Sequence, residues 1–198
     1  MHGLEADTIG GFNSLIEKQK KEDGRALITT ILFDDKIEIV HDRVDLQYTR
    51  SMTKKQYVAG GTTALLDAVG SAVSHIRKIH NYIHPEDVPT KTLFIITTDG
   101  MENASRRYTY DRVKKLIEHQ KAKYGWEFIF LGANIDAAAT AVSMGIGRDR
   151  AADYICDKAG TALNYDVLSK VTSAVRSGVG ISSDWNSSIT NDMKRRKR

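Results

Sequence analysis

Two short segments of the 198-residue chain place oxygen-bearing side chains beside glycine in a way that suits cation chemistry. Thr97-Thr98-Asp99-Gly100 sets a carboxylate directly after the apolar run Leu93-Phe94-Ile95-Ile96. Gly60-Gly61-Thr62-Thr63 presents hydroxyls in a flexible turn just before a long apolar-periodic stretch. In an open parallel sheet, ligands bind where loops leave the C-terminal ends of the strands. The Asp99 carboxylate and the Thr62 hydroxyl, brought together at such a place, suit a hard cation such as Mg²⁺. That ion takes oxygen ligands at ~2.0–2.1 Å and retains several waters.

Other constellations carry less. His80 and His84 are four apart, but Pro85 ends the helix there, and neither His75 nor any other residue offers a third ligand at zinc-site spacing, so they read as surface histidines. Cys156 lies in a short apolar stretch with no histidine nearby in sequence and reads as a buried, inert thiol. There is no Gly-x-Ser-x-Gly elbow for a hydrolase nucleophile. Gly60-Gly61-Thr62-Thr63 lacks the lysine and the spacing of a phosphate-binding loop. Arg106, Arg107, Tyr108 and Tyr110 read as a solvated loop, the rival being a basic, aromatic rim beside Asp99, and Asp136 reads as a helix cap.

The elements that must position these residues follow from periodicity. Leu4, Ile9, Phe12, Leu15 and Ile16 make the first twenty residues an amphipathic helix. Residues 25–33 form an apolar, β-branched strand that a turn at Asp34-Asp35-Lys36 joins to a half-exposed partner strand, a hairpin. A long helix starts at Ala64 and ends before Pro85, and residues 92–98 form a strand with the continuous apolar run Leu93-Phe94-Ile95-Ile96, as strands buried on both faces have. A helix over 110–124, a strand over 126–131, a helix from Asp136, a short strand at Tyr154-Ile155-Cys156 and a helix over 165–176 complete the series. Strand and helix alternating after residue 90 predict an α/β domain of three layers. Its sheet is open, doubly wound and mainly parallel, with the hairpin as one antiparallel edge. Residues 1–180 form this domain, and 181–198 a loose polar tail.

Composition bounds the rest. At 41% hydrophobic and 27% charged the chain lies in the globular range, outside the disordered one. A single cysteine excludes an internal disulfide framework. No apolar run approaches the ~20 residues of a bilayer crossing, and the first residues lack the basic start and apolar core of a signal peptide. A cytoplasmic protein, without membrane contact, is expected. The net charge of +4 resides in Lys194-Arg195-Arg196-Lys197-Arg198; the remainder holds 24 basic and 25 acidic side chains. The basicity is therefore a solvated tail, and nucleic acid is not expected as a partner.

With these residues in this order, the chain resembles a von Willebrand factor type A domain, particularly the stand-alone bacterial and phage type. Gly60-Gly61-Thr62 matches the family's Gly-Gly-Thr loop, and Thr98-Asp99-Gly100 its strand-end Thr-Asp-Gly. The hairpin, the long helix after Thr63 and Phe130-Leu131-Gly132-Ala133-Asn134 are also similar, over about residues 1 to 180. The resemblance implies a metal-ion-dependent adhesion site holding Mg²⁺ or Mn²⁺, with Thr62 and Asp99 as ligands and no catalytic residues. A partner protein's acidic residue would complete the coordination.

One departure stands out. The Asp-x-Ser-x-Ser loop that supplies three further metal contacts in the family is absent. By the resemblance, the first strand, central in a Rossmann-like order 3-2-1-4-5-6, is absent with it. Four or five large side chains buried from such a strand contribute about 6–15 kcal/mol at ~1.5–3 kcal/mol each, against ~5–15 kcal/mol for a whole domain. The slot is expected to be filled by the strands over 25–33 and 92–98 closing on each other, by a second chain or strand-donating partner, or by Val179-Gly180-Ile181; a start codon placed too far downstream is the simplest account. The functional expectation is a non-enzymatic protein-binding module with an incomplete metal site. The alternatives are a nucleotide- or phosphate-handling α/β enzyme, and a metal-free fragment completed by a partner strand.

Overall fold

A computed structural model describes residues 3–196. The chain runs α1 (Glu5–Gln19), β1 (Leu27–Phe33), β2 (Ile37–Asp45), α2 (Leu65–Tyr82), β3 (Leu93–Thr98) and α3 (Tyr110–Tyr124). It continues with β4 (Glu127–Gly132), α4 (Ala137–Ser143), β5 (Ala151–Asp153), α5 (Lys158–Arg176) and α6 (Ser187–Arg196). Helix ends follow local chemistry. The Thr109 hydroxyl accepts from Arg112 N at 3.3 Å to open α3, and Gly125 at φ 63° closes it. The Asp136 carboxylate accepts from Ala139 N at 2.8 Å to cap α4, as its position in the sequence predicts.

β3, β4 and β5 form a parallel sheet with β4 in the middle. Phe94 lies opposite Phe128 and Phe130 opposite Ala151. Alternation along β4 splits its side chains between two cores. Phe128 and Phe130 join Ile96, Val69, Val73, Val113 and Ile117 beneath α2 and α3. Ile129 and Leu131 join Leu168, Val171, Trp185 and Ile189 beneath α5 and α6. The molecule is thus α/β, with helices on both faces of the sheet.

Several expectations are corrected. The hairpin is not an edge of the parallel sheet: β1 and β2 form a separate antiparallel pair, and β1 and β3 do not bond to each other. The hairpin follows α1, and α1 is anchored on α5. Gln19 Nε2 donates to Ser169 O at 3.0 Å and to Ser173 Oγ at 2.9 Å, while the Arg176 guanidinium donates to the carbonyls of Gln19, Glu22, Asp23 and Gly24. At Gly11 the Tyr165 ring lies where a side chain would be. This anchorage holds β1 on the far side of a central cleft from β3. Val179-Gly180-Ile181 does not enter that cleft; Ile181 packs on the α5 core instead.

The last strand lies at Ala151–Asp153 rather than 154–156, because the bulk of Phe130 on β4 is matched by the small Ala151 opposite. Helix α5 begins at Lys158, seven residues before the predicted 165, with the Asp157 carboxylate accepting from Gly160 N at 2.8 Å. Gly160 lies against the Ile155 carbonyl with no room for a side chain.

The segment from Ser182 is not loose either. Trp185 Nε1 donates to Asp149 O at 2.7 Å, Asn186 Nδ2 to Ala151 O at 3.1 Å, and Ile189 is fully buried. Two apolar residues four apart suffice to dock α6, although they are too few to show a period. The Arg196 guanidinium pairs with Asp157 and Asp192; Lys197 and Arg198 lie outside the described residues. Among the described residues no helix is long and apolar enough to cross a membrane.

The α1–α5 contact gives a paired expectation. Gly11→Val drives a side chain into the Tyr165 ring and lowers stability by about 1–3 kcal/mol, read as a reduced urea midpoint at unchanged slope. Gly10→Ala, with nothing within 4 Å of the added carbon, raises it by about 0.5–1 kcal/mol.

Candidate functional site

Asp99 follows the last residue of β3 and Thr62 lies in the turn that leads into α2, as predicted. Both line one cleft. Their loops are stitched together: Thr63 N donates to Asn103 Oδ1 at 2.8 Å, and Asn103 N returns to Thr63 O at 3.1 Å. The end of β1 joins them, since Ala64 N donates to Asp34 O at 2.7 Å. Asp34, Thr62 and Asp99 therefore stand at the same end of the cleft, where β1 and β3 both finish. Gly60 lies so close to the Asp34 carboxylate that a side chain there is excluded. Thr62 is exposed; Asp34 and Asp99 are half-buried.

Asp34 is the residue of this end that motif reading passes over. It reads as an ordinary turn residue, and only its place after a strand parallel in direction to β3 gives it meaning. The N–H of Lys36, donating at 2.7 Å, holds its carboxyl below the usual range. The end of the cleft is thus lined by hard oxygen donors, two of them carboxylates.

Two further carboxylates hold the loop after Asp99 in place. Glu102 accepts from Leu66 N at 2.8 Å, from Ala104 N at 3.0 Å and from Ser105 N at 2.8 Å, joining the first turn of α2 to the loop. The nearly buried Asp67 accepts from the backbone N–H groups of Arg106, Arg107 and Tyr108 at 2.8–2.9 Å. Burial pushes the Asp67 carboxyl upward, but the three N–H donors outweigh it and leave it below its ordinary value. The run Arg106-Arg107-Tyr108 is accordingly pinned to α2 through its backbone. Tyr108 lies over Gly70 and reaches Ser74 at 3.2 Å, with the Arg112 guanidinium 4.5 Å from its ring centre.

The remaining candidates are dispersed. His75 meets Asp42 at 2.9 Å, and His80 packs edge-on to Trp126. Exposed His84 lies 3.6 Å from Glu86, and Cys156 is half-buried beside the α5 core. Among the described residues no three His, Cys, Asp or Glu side chains are grouped as metal ligands. No family model matches the chain, and no curated protein matches it. The resemblance to von Willebrand factor type A domains therefore stands on the residues quoted for it.

Asp67→Asn removes a charged acceptor from three amides and is expected to cost about 2–3 kcal/mol. Because the folded carboxyl lies below its unfolded value of 3.8, its contribution is fully present above that pH and is lost as the pH falls through the folded value. Urea titrations of both proteins from pH 7 to pH 2.5 should show the gap narrowing only at the acid end.

Proposed function

We infer that the chain is a non-enzymatic protein-binding module of the von Willebrand factor A type, engaging a partner's acidic residue through Mg²⁺ or Mn²⁺. The observation that carries this reading is the meeting of Thr62 and Asp99 at one end of the cleft, on loops tied through Asn103 and joined by Asp34. Hydroxyl and carboxylate oxygens are the donor types that these cations take. The set is short of charge by itself, so a partner's carboxylate and water complete it. A bound cation would supply positive charge where two proteins would otherwise face each other with carboxylates.

The chain's own residues have separable tasks. The Thr62 hydroxyl and the Asp99 carboxylate hold the cation, and Asp34 adds negative charge beside them. Glu102 and Asp67 keep the two loops in register by binding their backbone amides. The family's single doubly wound sheet is then the arrangement in which β1 and β3 belong to one sheet, joined through a strand between them.

Calorimetric titration of Mg²⁺ and Mn²⁺ into the full chain tests this. Saturable binding at micromolar to low-millimolar metal is expected, abolished in Asp99→Ala and weakened in Thr62→Ala. Absence of saturable binding, or binding that Asp99→Ala leaves unchanged, overturns the reading.

A further inference from the structure

Charge is nearly balanced over residues 1–193, and the balance conceals where it lies. Between Arg106 and Lys123 stand seven of the 24 basic side chains but only two of the 25 acidic ones, Asp111 and Glu118. On α3, Arg112, Lys115, His119 and Lys123 follow one another at steps of three, four and four. That spacing keeps them within about a quarter turn of the helix, and all four are exposed. Neither acid joins the row. Glu118 lies 4.0 Å from Lys114 and packs against Gly145, on the α4 side. Asp111 stands in the first turn of α3, where a carboxylate suits the positive end of the helix dipole.

The neighbouring helix repeats the spacing. On α2, Ser71, Ser74, Lys78 and Tyr82 also follow at steps of three, four and four, so they share one side. That side is turned toward the start of α3: Ser71 Oγ accepts from Arg107 Nη2 at 3.2 Å, and Ser74 Oγ meets Tyr108 Oη at 3.2 Å. The single acid of α2, Asp67, is already taken by three backbone amides. Asp42 is paired with His75, and Glu86 and Asp87 line the central cleft. Neither row holds an acid.

What the face lacks narrows the partner further. Its exposed large apolar residues are tyrosines, with Tyr82 at 89% and Tyr124 at 45%, whereas the exposed aliphatic side chains all lie on other elements. A protein interface has an apolar centre from which lysine is depleted. A helix held on a lipid surface buries apolar side chains in it. Cations in a line beside exposed aromatic rings instead suit single-stranded nucleic acid, whose phosphates follow the charges and whose unstacked bases meet the rings.

We propose that the α2–α3 face binds single-stranded nucleic acid. The backbone of the strand runs along Arg107, Arg112, Lys115 and Lys123, the α3 part of this line spanning ~17 Å at ~1.5 Å per residue. Tyr82 and Tyr124, the last residues of α2 and α3, stack on bases. Phosphate contacts and stacking carry little sequence information, so binding tolerates any base order. This inference does not rest on the cation reading, and its test is run in EDTA.

The probe is a fluorescein-labelled oligothymidylate of about 12 nucleotides, titrated into the full chain and read by anisotropy. Saturable binding is expected. Its logarithmic salt dependence should have a slope of about −3, from four lysine and arginine contacts at about −0.7 each. Lys115→Gln combined with Lys123→Gln should weaken binding at least tenfold at low salt and halve that slope. Tyr82→Ala should weaken binding at least fivefold and leave the slope unchanged, since it removes a ring and no charge. Replacing the terminal cations (Lys194→Gln, Arg195→Gln, Lys197→Gln and Arg198→Gln) should leave the affinity within about twofold. No saturable binding overturns the proposal, and so does loss of binding in the terminal variant but not in the α3 variant. Equal binding of labelled polyglutamate would assign the face to an acidic polypeptide instead. Tighter binding of a duplex of the same length, or a Tyr82→Ala variant that binds normally, would overturn the single-strand assignment.

Discussion

A strand enclosed between two helical layers has no water to bond with, so each of its N–H and C=O groups needs a partner from a neighbouring strand. That requirement organises this molecule. β4 meets it on one edge throughout and on the other from Phe130 to Gly132, and is buried after Glu127, whereas β1 and β3 meet it on one edge each, with Ile95 of β3 exposed and β1 half-buried apart from Thr30. The cleft is where the requirement is left open, and it occupies the centre of the molecule. The oxygen donors of the candidate cation site stand at one end of it.

The loops at the donor end owe their shape to carboxylates that bind backbone amides. Glu102 serves the first turn of α2 and the start of its own loop; Asp67 gathers three consecutive amides. An anion facing several N–H donors forms charge-assisted hydrogen bonds, and here the two anions point in opposite directions across one junction. This exchange holds the loops of Thr62 and Asp99 together at one end of the cleft.

What the sequence disclosed followed the strength of its periodic signals. The apolar run at 93–96 and the long stripe after Thr63 led directly to β3 and α2, and Tyr110–Tyr124 agreed at both ends because Thr109 and Gly125 mark them. Helix α5 was misplaced at its start because Gly160, in its first turn, fits only through its close approach to the Ile155 carbonyl, a contact that side-chain periodicity does not reveal. β5 was displaced because its two alanines, opposite Phe130 and Leu131, carry no strand signature. At the candidate site Thr62 and Asp99 were legible from motif alone. Asp34, Asp67 and Glu102 were not, since each acts on a partner about thirty or more residues away or through backbone amides that leave no pattern in side-chain order. The division into two sheets was equally hidden, because strand pairing depends on where α1 is held.

The anchorage of α1 on α5 joins residues about 150 positions apart, Gln19 to Ser169 and Gly24 to Arg176. During synthesis the ribosome releases α1 and the hairpin well before the α5 surface they rest on. Contacts of such wide sequence separation close slowly, and a chain made at ~5–20 residues per second leaves the hairpin without its support for several seconds or more. Through that interval the edge of β1 not paired with β2 and the apolar face of α1 are accessible to other polypeptides. A nascent chain of this topology thus has a long window for capture by a chaperone or for pairing with another strand before α5 arrives.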